Sequence, residues 1–295
     1  MKPAVGYIGL GGMGHACAGN LLKAGYTLHV YARRAEQMHT LVQSGATPYD
    51  SPAALAHHCD IIFTNVSDTP DVLQVILGDQ GIIHGARPGS VVVDMSTILP
   101  SAARNIASEL ASRQVEFLDA PVSGGSQGAI EGTLSVMVGG KAEVFQKVLP
   151  VLQVMGKNIA HIGDSGAGQV AKACNQIIVT QTLGAIAEAF TLATAAGVNP
   201  SRVREVLLGG FAGSKMLEVH GQRMLAHNFT PGFKTRLHDK DMHIVQQFAS
   251  ELGIGLPGTD LVAGYIHAAV AAGLGEQDSS AISTLFEKKL GKQFG

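Results

Sequence analysis

AVGYIGLGGMGHACAGNLLKAGYTLHVYARR, residues 4–34, is the stretch whose reading decides the fold. Ala4 to Leu10 is a short apolar run with strand character, and it leads into Gly9-Leu10-Gly11-Gly12-Met13-Gly14. Ala16 to Ala24 has helical character, Gly25 stops it, and Leu28 to Tyr31 reads as the next strand. Strand, G-x-G-x-x-G, helix and strand within about 30 residues is the setting that makes this glycine pattern specific. The glycines permit a tight turn, close approach of the backbone to a pyrophosphate, and packing of helix on strand. The first N–H groups of the helix then face the phosphates. The stretch predicts a dinucleotide site.

The end of the second strand bears on which dinucleotide. An NAD site places Asp or Glu there, roughly 20 residues past the glycines, to bond the ribose 2′-hydroxyl. This chain has Ala32-Arg33-Arg34. Two guanidiniums and no carboxylate suit a 2′-phosphate, so NADP(H) is favoured over NAD(H), with Arg33 and Arg34 as its contacts.

Outward from this unit, strand and helix alternate. Ile61 to Val66, Ser90 to Asp94, Glu116 to Leu118, Leu134 to Val138 and Asn158 to Ile162 are the strand candidates. Helices opened by Pro52, Pro70 and Pro100 lie between them, with one more from Ala142 to Met155 that should kink at its internal Pro150. Such alternation predicts a mostly parallel sheet covered on both faces. Ligands of these sheets lie over the carboxyl ends of the strands, so Asn65-Val66-Ser67-Asp68 and Asp94-Met95-Ser96-Thr97 should border the cofactor. In Asp119-Ala-Pro-Val-Ser-Gly-Gly125, Ser123 and the two glycines expose successive N–H groups beside a hydroxyl, which can bind a small carboxylate. A plain turn accounts for that segment almost as well.

After Ile162 only helical patterns remain. Gly166 to Gly197 is Ala-rich and apolar and lacks proline, so it reads as one helix of roughly 45 Å, buried on nearly every side. Gly168, Lys172 and Asn175 share one face of it. Helices over Pro200 to Leu208, Ser214 to Ala226, Arg236 to Leu252, Pro257 to Ala272 and Asp278 to Leu290 follow. In the one that starts at Arg236, Met242, Val245, Ala249 and Leu252 form the inner stripe. Arg236, Lys240, His243 and Gln247 line the other face, which makes Lys240 a solvated residue on pattern alone. The fold class is therefore α/β: an N-terminal Rossmann-type doubly wound sheet, residues 1–163, and a C-terminal all-α domain, residues 164–295, joined by a long interdomain helix.

Composition narrows the partners. Charged residues make up 15% of the 295, against about 25% in an average soluble chain, which points to burial between domains and between subunits. A net charge of −2 and the lack of a Lys/Arg run argue against nucleic acid and anionic membranes as partners. A strand begins almost at the N-terminus, so no signal peptide is expected. Thr180, Gln181, Thr182 and Glu188 interrupt the longest apolar run, so no membrane span is expected either. Cys17, Cys59 and Cys174 are odd in number and far apart, which suits reduced thiols in the cytoplasm. Of the 12 histidines, His57-His58 and the pair His238 and His243 are spaced so that neither converges on one ion. No metal is expected.

Five segments carry a resemblance to a known family: Gly9 to Gly14 with Asn20-Leu-Leu-Lys-Ala-Gly25; Asp119 to Gly125; Gly132-Thr-Leu-Ser-Val-Met-Val-Gly-Gly140; Gly168-Gln-Val-Ala-Lys-Ala-Cys-Asn175; and Lys240-Asp241-Met242. Over essentially its whole length the chain resembles the β-hydroxyacid dehydrogenase family, related to 6-phosphogluconate dehydrogenase. Asn175-Gln-Ile-Ile-Val179 and Gly209-Gly-Phe-Ala-Gly-Ser214 resemble its tartronate semialdehyde branch more than its 3-hydroxyisobutyrate branch. The resemblance implies that Lys172 is the catalytic acid/base and that Ser123, Gly124, Gly125 and Asn175 hold the substrate. It implies that Gly9, Leu10, Gly11, Gly12, Met13, Gly14, Val66, Ser67, Thr97 and Lys240 contact the cofactor. Ala32 departs from the family, whose members commonly have Asp before Arg here, in agreement with the arginine argument.

The implied substrate is a small carboxylate-bearing semialdehyde or its hydroxyacid. Reduction of 3-hydroxyisobutyrate-type, succinic or glyoxylate-type aldehydes would use the same apparatus, and an imine reductase would want a different proton donor at position 172. A non-catalytic nucleotide-binding scaffold is the rival from another class, and it would have no use for a polar face on a buried helix. A homodimer or homotetramer is expected, with the active cleft between the two domains.

Overall fold

The central strands of the first half, Val5–Ile8, Ile61–Thr64 and Val91–Asp94, are buried along their whole length, as the middle of a covered parallel sheet requires. In this computed structural model, which describes residues 2–294, the chain divides into two compact units, Met1–Lys172 and Ala173–Gly295. The first contains a nine-stranded sheet: β1 (Val5–Ile8), β2 (Leu28–Tyr31), β3 (Thr47–Pro48), β4 (Ile61–Thr64), β5 (Val91–Asp94), β6 (Glu116–Asp119), β7 (Val122–Ser123), β8 (Leu134–Gly139) and β9 (Gly156–Gly163). The spatial order β3-β2-β1-β4-β5-β6 is parallel throughout. β8 then runs antiparallel to β6 and β7, and β9 pairs parallel with β8.

Helices α1 (Gly12–Lys23), α2 (His39–Gln43), α3 (Pro52–Ala56), α4 (Thr69–Leu77), α5 (Pro100–Ala111), α6 (Gly125–Glu131) and α7 (Ala142–Leu152) connect these strands. They cover the sheet with two apolar layers. Tyr7, Leu21, Leu28 and Phe63 belong to one, Ile8, Ile62, Val92 and Ile106 to the other, each side chain supplying about 1.5–3 kcal/mol on burial.

All five strands expected beyond the opening unit are present. β3 and β7, two residues each, and the short α2 and α6 carry no periodic pattern and were not anticipated. α7 contains Pro150 in its last turn and ends at Leu152, short of the expected Met155, because proline removes a donor and the following residues leave the helix.

α8 (Ala167–Ala195) is a single helix of 29 residues that starts in the first unit and supplies the opening helix of the second. The sheet-to-helix change at 163–166 thus precedes the division by packing at 172/173. Its first turns are tied into the sheet, as described below. α9 (Pro200–Leu208), α10 (Lys215–Leu225), α11 (Thr235–Glu251), α12 (Pro257–Ala269) and α13 (Ser283–Leu290) complete the second unit. Its core is built on Leu183, Phe190, Ile266, Ile282 and Phe294.

Three expectations for this half are corrected. α8 is not buried on nearly every side: Cys174, Ile178, Gln181, Ala185, Glu188 and Leu192 are exposed, a stripe with the alternating four-and-three spacing of one helix face. Ala and Ile mark a helix surface as apolar without saying whether this chain covers it. Leu252 is exposed rather than part of the inner stripe, since α11 has already ended. Lys240 is not a solvated residue, because its side chain is only 18% exposed and is paired with Asp241.

α8 is also long and apolar enough to cross a membrane by length and composition. Its polar side chains bond inside protein instead: Gln176 Nε2 donates to Asp241 at 2.6 Å, and Thr180 Oγ1 lies 2.6 Å from His238 Nε2.

Candidate active site

Gly9 has φ +93°, and a Cβ there would meet the Asn65 carbonyl. A Cβ on Gly14 would strike the Gly9 carbonyl at 2.0 Å. These two glycines serve the turn itself. Gly11 and Gly12 differ: both are exposed, and a Cβ on either would meet no atom within 4 Å. They face open space in front of α1, whose N-terminus receives no side-chain cap. Unpaired N–H groups at a helix start, with the local dipole behind them, form an anion site. The residues therefore fit the pyrophosphate of a dinucleotide. Leu10 is buried beneath the turn and Met13 is half-buried.

At the carboxyl end of β2, next to β1, Ala32 is buried while the Arg33 and Arg34 side chains are 76% and 70% exposed. Arg33 approaches Asp71 at 3.3 Å and Arg34 approaches Glu36 at 3.9 Å; exposed pairs of this kind hold weakly. The loops after β4 and β5 lie side by side, joined by the Val66 N–H donating to Ser96 Oγ at 3.0 Å. Ser67 is exposed and Thr97 half-buried.

Beneath these loops sit two buried carboxylates. Asp94 ends β5 and accepts from Thr64 Oγ1 at 2.7 Å. Burial pushes its carboxyl up to about 6, against the opposing bonds from Ser96 and Thr64. Asp119, its register partner on β6, caps α8: Oδ1 accepts from Gly166 N at 2.7 Å and Oδ2 from Gln169 N at 2.9 Å. Burial also raises its carboxyl, opposed by these backbone donors. Gly168 has no room for a side chain, because a Cβ would lie 2.3 Å from the Met137 carbonyl and 2.7 Å from that of Asp119. The Gln169 side chain spans the β5 loop, accepting from Ile98 N and donating to Ser96 O.

With its first turn held in this way, α8 directs Lys172 at β7. The side chain is 7% exposed, and Nζ donates to Val122 O at 2.9 Å. Ser123 is the next residue, followed by Gly124 and Gly125 with φ of +131° and +62°, backbone that favours glycine. Lys172 Nζ thus bonds the carbonyl that immediately precedes Ser123 and its two glycines. Asp119 and Gln169 lie inside the sequence motifs, and nothing local in the sequence marks them as a cap and a bridge. Their part depends on pairing across 50 residues that no local pattern displays.

In the second unit, Asn175 Nδ2 donates to Gln176 Oε1 at 2.8 Å, Gln176 donates to Asp241, and Asp241 Oδ1 pairs with Lys240 Nζ at 2.8 Å. One chain of polar bonds joins the expected substrate residue Asn175 to the expected cofactor residue Lys240. Gln176 and Asp241 are its middle members, 3% and 2% exposed.

Fold and site together define an NAD(P)-dependent oxidoreductase. Residues 4–163 match the NAD binding domain of 6-phosphogluconate dehydrogenase, and residues 166–286 match the NAD-binding domain of NADP-dependent 3-hydroxyisobutyrate dehydrogenase. The chain belongs to the β-hydroxyacid dehydrogenase family. It is 42% identical to 2-hydroxy-3-oxopropionate reductase of Escherichia coli K12, over 96% of this chain and 97% of that one. It is 34% identical to 2-(hydroxymethyl)glutarate dehydrogenase of Eubacterium barkeri, over 97% and 96%. The structure of Mycobacterium tuberculosis 3-hydroxyisobutyrate dehydrogenase with L-serine superimposes with a TM-score of 0.90 at 29% identity, covering 97% of this chain and 99% of that one.

Proposed function

We propose that the protein reduces tartronate semialdehyde, or a closely similar small carboxylate-bearing semialdehyde, to its hydroxyacid with NADPH, Lys172 acting as general acid. The observation that carries this reading is the buried Lys172 ammonium, bonded to the Val122 carbonyl immediately before Ser123. When bound, the reduced nicotinamide supplies the hydride that converts the carbonyl carbon to an alcohol carbon. Lys172 stabilises the charge that develops on the carbonyl oxygen and transfers a proton to it from Nζ. Such general acid help is worth roughly 10² to 10⁴ in rate. The Ser123 hydroxyl and the N–H groups of Gly124 and Gly125 take the substrate carboxylate. Asn175, three residues further along α8, fixes a substrate oxygen or the lysine.

Gly9 to Gly14, Val66, Ser67, Thr97 and Lys240 form the cofactor contacts, and Arg33 with Arg34 receives the 2′-phosphate. The 42% identity to the E. coli reductase supports the substrate. The exposed Ile178 and Leu192 on α8 support a homodimer or homotetramer that covers them. Three free cysteines suit a cytoplasmic enzyme.

Lys172→Ala should lower kcat by at least about 10² while keeping a native circular dichroism spectrum and NADPH affinity. Near-normal turnover in that variant would end the assignment. Specificity constants for tartronate, methylmalonate and succinate semialdehydes, each with NADPH and NADH, separate this reading from a 3-hydroxyisobutyrate-type enzyme. Light scattering that gives a monomer at micromolar concentration would overturn the oligomer.

A further inference from the structure

α11 and α12 bring together three side chains with metal-ligand chemistry. Asp239 and His243 are at i and i+4 on α11 and therefore share a face. His267 is an exposed residue of α12. Asp239 Oδ1 lies 3.8 Å from His243 Nδ1 and 3.7 Å from His267 Nδ1, and one donor atom from each of the three lies within 4.8 Å of the others. Bonds of about 2.0–2.2 Å at tetrahedral angles would separate ligand atoms by roughly 3.4 Å, so the two Asp–His separations need to close by a few tenths of an ångström, and rotation of the two exposed rings takes up the remaining His–His distance, which is within 4.8 Å. The cations nearest along α11 are engaged elsewhere: Arg236 with Glu276 and Lys240 with Asp241.

We propose that Asp239, His243 and His267 form a site for a borderline divalent transition ion of the zinc class, which staples α11 to α12. Two imidazoles and one carboxylate suit such ions and do not suit magnesium or calcium, which take oxygen ligands. His243 Nδ1 is 2.9 Å from the Asp239 backbone carbonyl; binding exchanges that contact for a coordinate bond. Three protein ligands leave a position open to solvent, and the exposed rings, 64% and 69% accessible, allow entry directly from water. His238 and His243 are about a turn and a half apart and do not share a face. The informative spacing was Asp239 with His243, completed by a residue 24 positions on that only the fold supplies.

The test is equilibrium dialysis and thermal unfolding of the tag-free, full-length protein with zinc chloride, using magnesium chloride as the control. The wild type should bind one zinc per chain, with a melting temperature that rises with zinc and not with magnesium. His243→Ala and His267→Gln should each weaken binding by roughly tenfold or more and abolish the thermal shift. Both rings are exposed, so the metal-free variants should melt close to the wild type, and that control separates lost ligation from lost folding. Cys174→Ser should bind as the wild type does. Equal affinity in wild type and both histidine variants, no stoichiometric binding, or binding abolished by Cys174→Ser would each overturn the proposal. The ion would then be adventitious only.

Discussion

Helices α1 and α8 both begin at glycine turns beside the same sheet, and the first N–H groups of each lack a partner within the helix itself, yet the two ends are used differently. At α1 no side chain caps the turn, and Gly11 and Gly12 face open space. At α8 the place is filled from within, by the Asp119 carboxylate on Gly166 N and Gln169 N. The comparison teaches that one physical device, a positive helix end, can be left open to a ligand or consumed in holding a buried side chain. Lys172 lies little more than a turn beyond the filled end, and its direction depends on that cap.

Substitutions can break the comparison at either end. The largest effect is expected from Gly168→Ala, which drives a Cβ into two backbone carbonyls. Such overpacking should cost about 3 kcal/mol, read as a lowered urea midpoint. Asp119→Ala leaves two buried N–H groups unpaired and should cost about 2 kcal/mol. It should also lower kcat more than it weakens NADPH binding, because α1 is untouched. Gly12→Ala should reverse that pattern: a melting temperature near the wild type and NADPH affinity weakened about tenfold, or 1.4 kcal/mol, measured by nicotinamide fluorescence. If Gly12→Ala unfolds the protein instead, the open end of α1 is structural and the contrast fails.

The smallest effect sharpens the picture of the cap's neighbour. Asp94 titrates near 6 in the fold because it is buried, above about 3.9 in the unfolded chain. The native state therefore holds its proton more tightly, so this contribution to stability is full below pH 4 and is lost as the pH rises through 6. Lowering the pH from 7 to 5.5 should stabilise the wild type by about 0.8 kcal/mol from this group. Asp94→Asn should remove that increment from the urea midpoints measured at the two values.

Legibility in the sequence followed the range of the forces. The opening strand, turn and helix could be read because glycine constraints and short apolar runs act within a few residues, and the later strands for the same reason. β3 and β7 could not, since two-residue strands exist only through their neighbours. Lys172 was visible as a polar residue on an apolar rod. Its anchor at Val122 and the capping role of Asp119 were not, because both join segments far apart in the chain. Lys240 was misplaced on the solvated face because helical period alone cannot show that Asp241 and Gln176 build a buried polar chain beside it. The exposure of the stripe on α8 was not legible, because its Ile and Ala residues mark a surface as apolar without showing whether this chain covers it.

The two groups of glycines also predict how descendants of this chain would drift. A copy that lost its chemistry but kept its shape would remain under pressure at Gly9, Gly14 and Gly168, where a methyl group collides with main chain. Gly11, Gly12 and Lys172 would be free to change. A paralogue that preserved the first group and discarded the second would be a fossil of this enzyme, recognisable from its genome sequence before any assay.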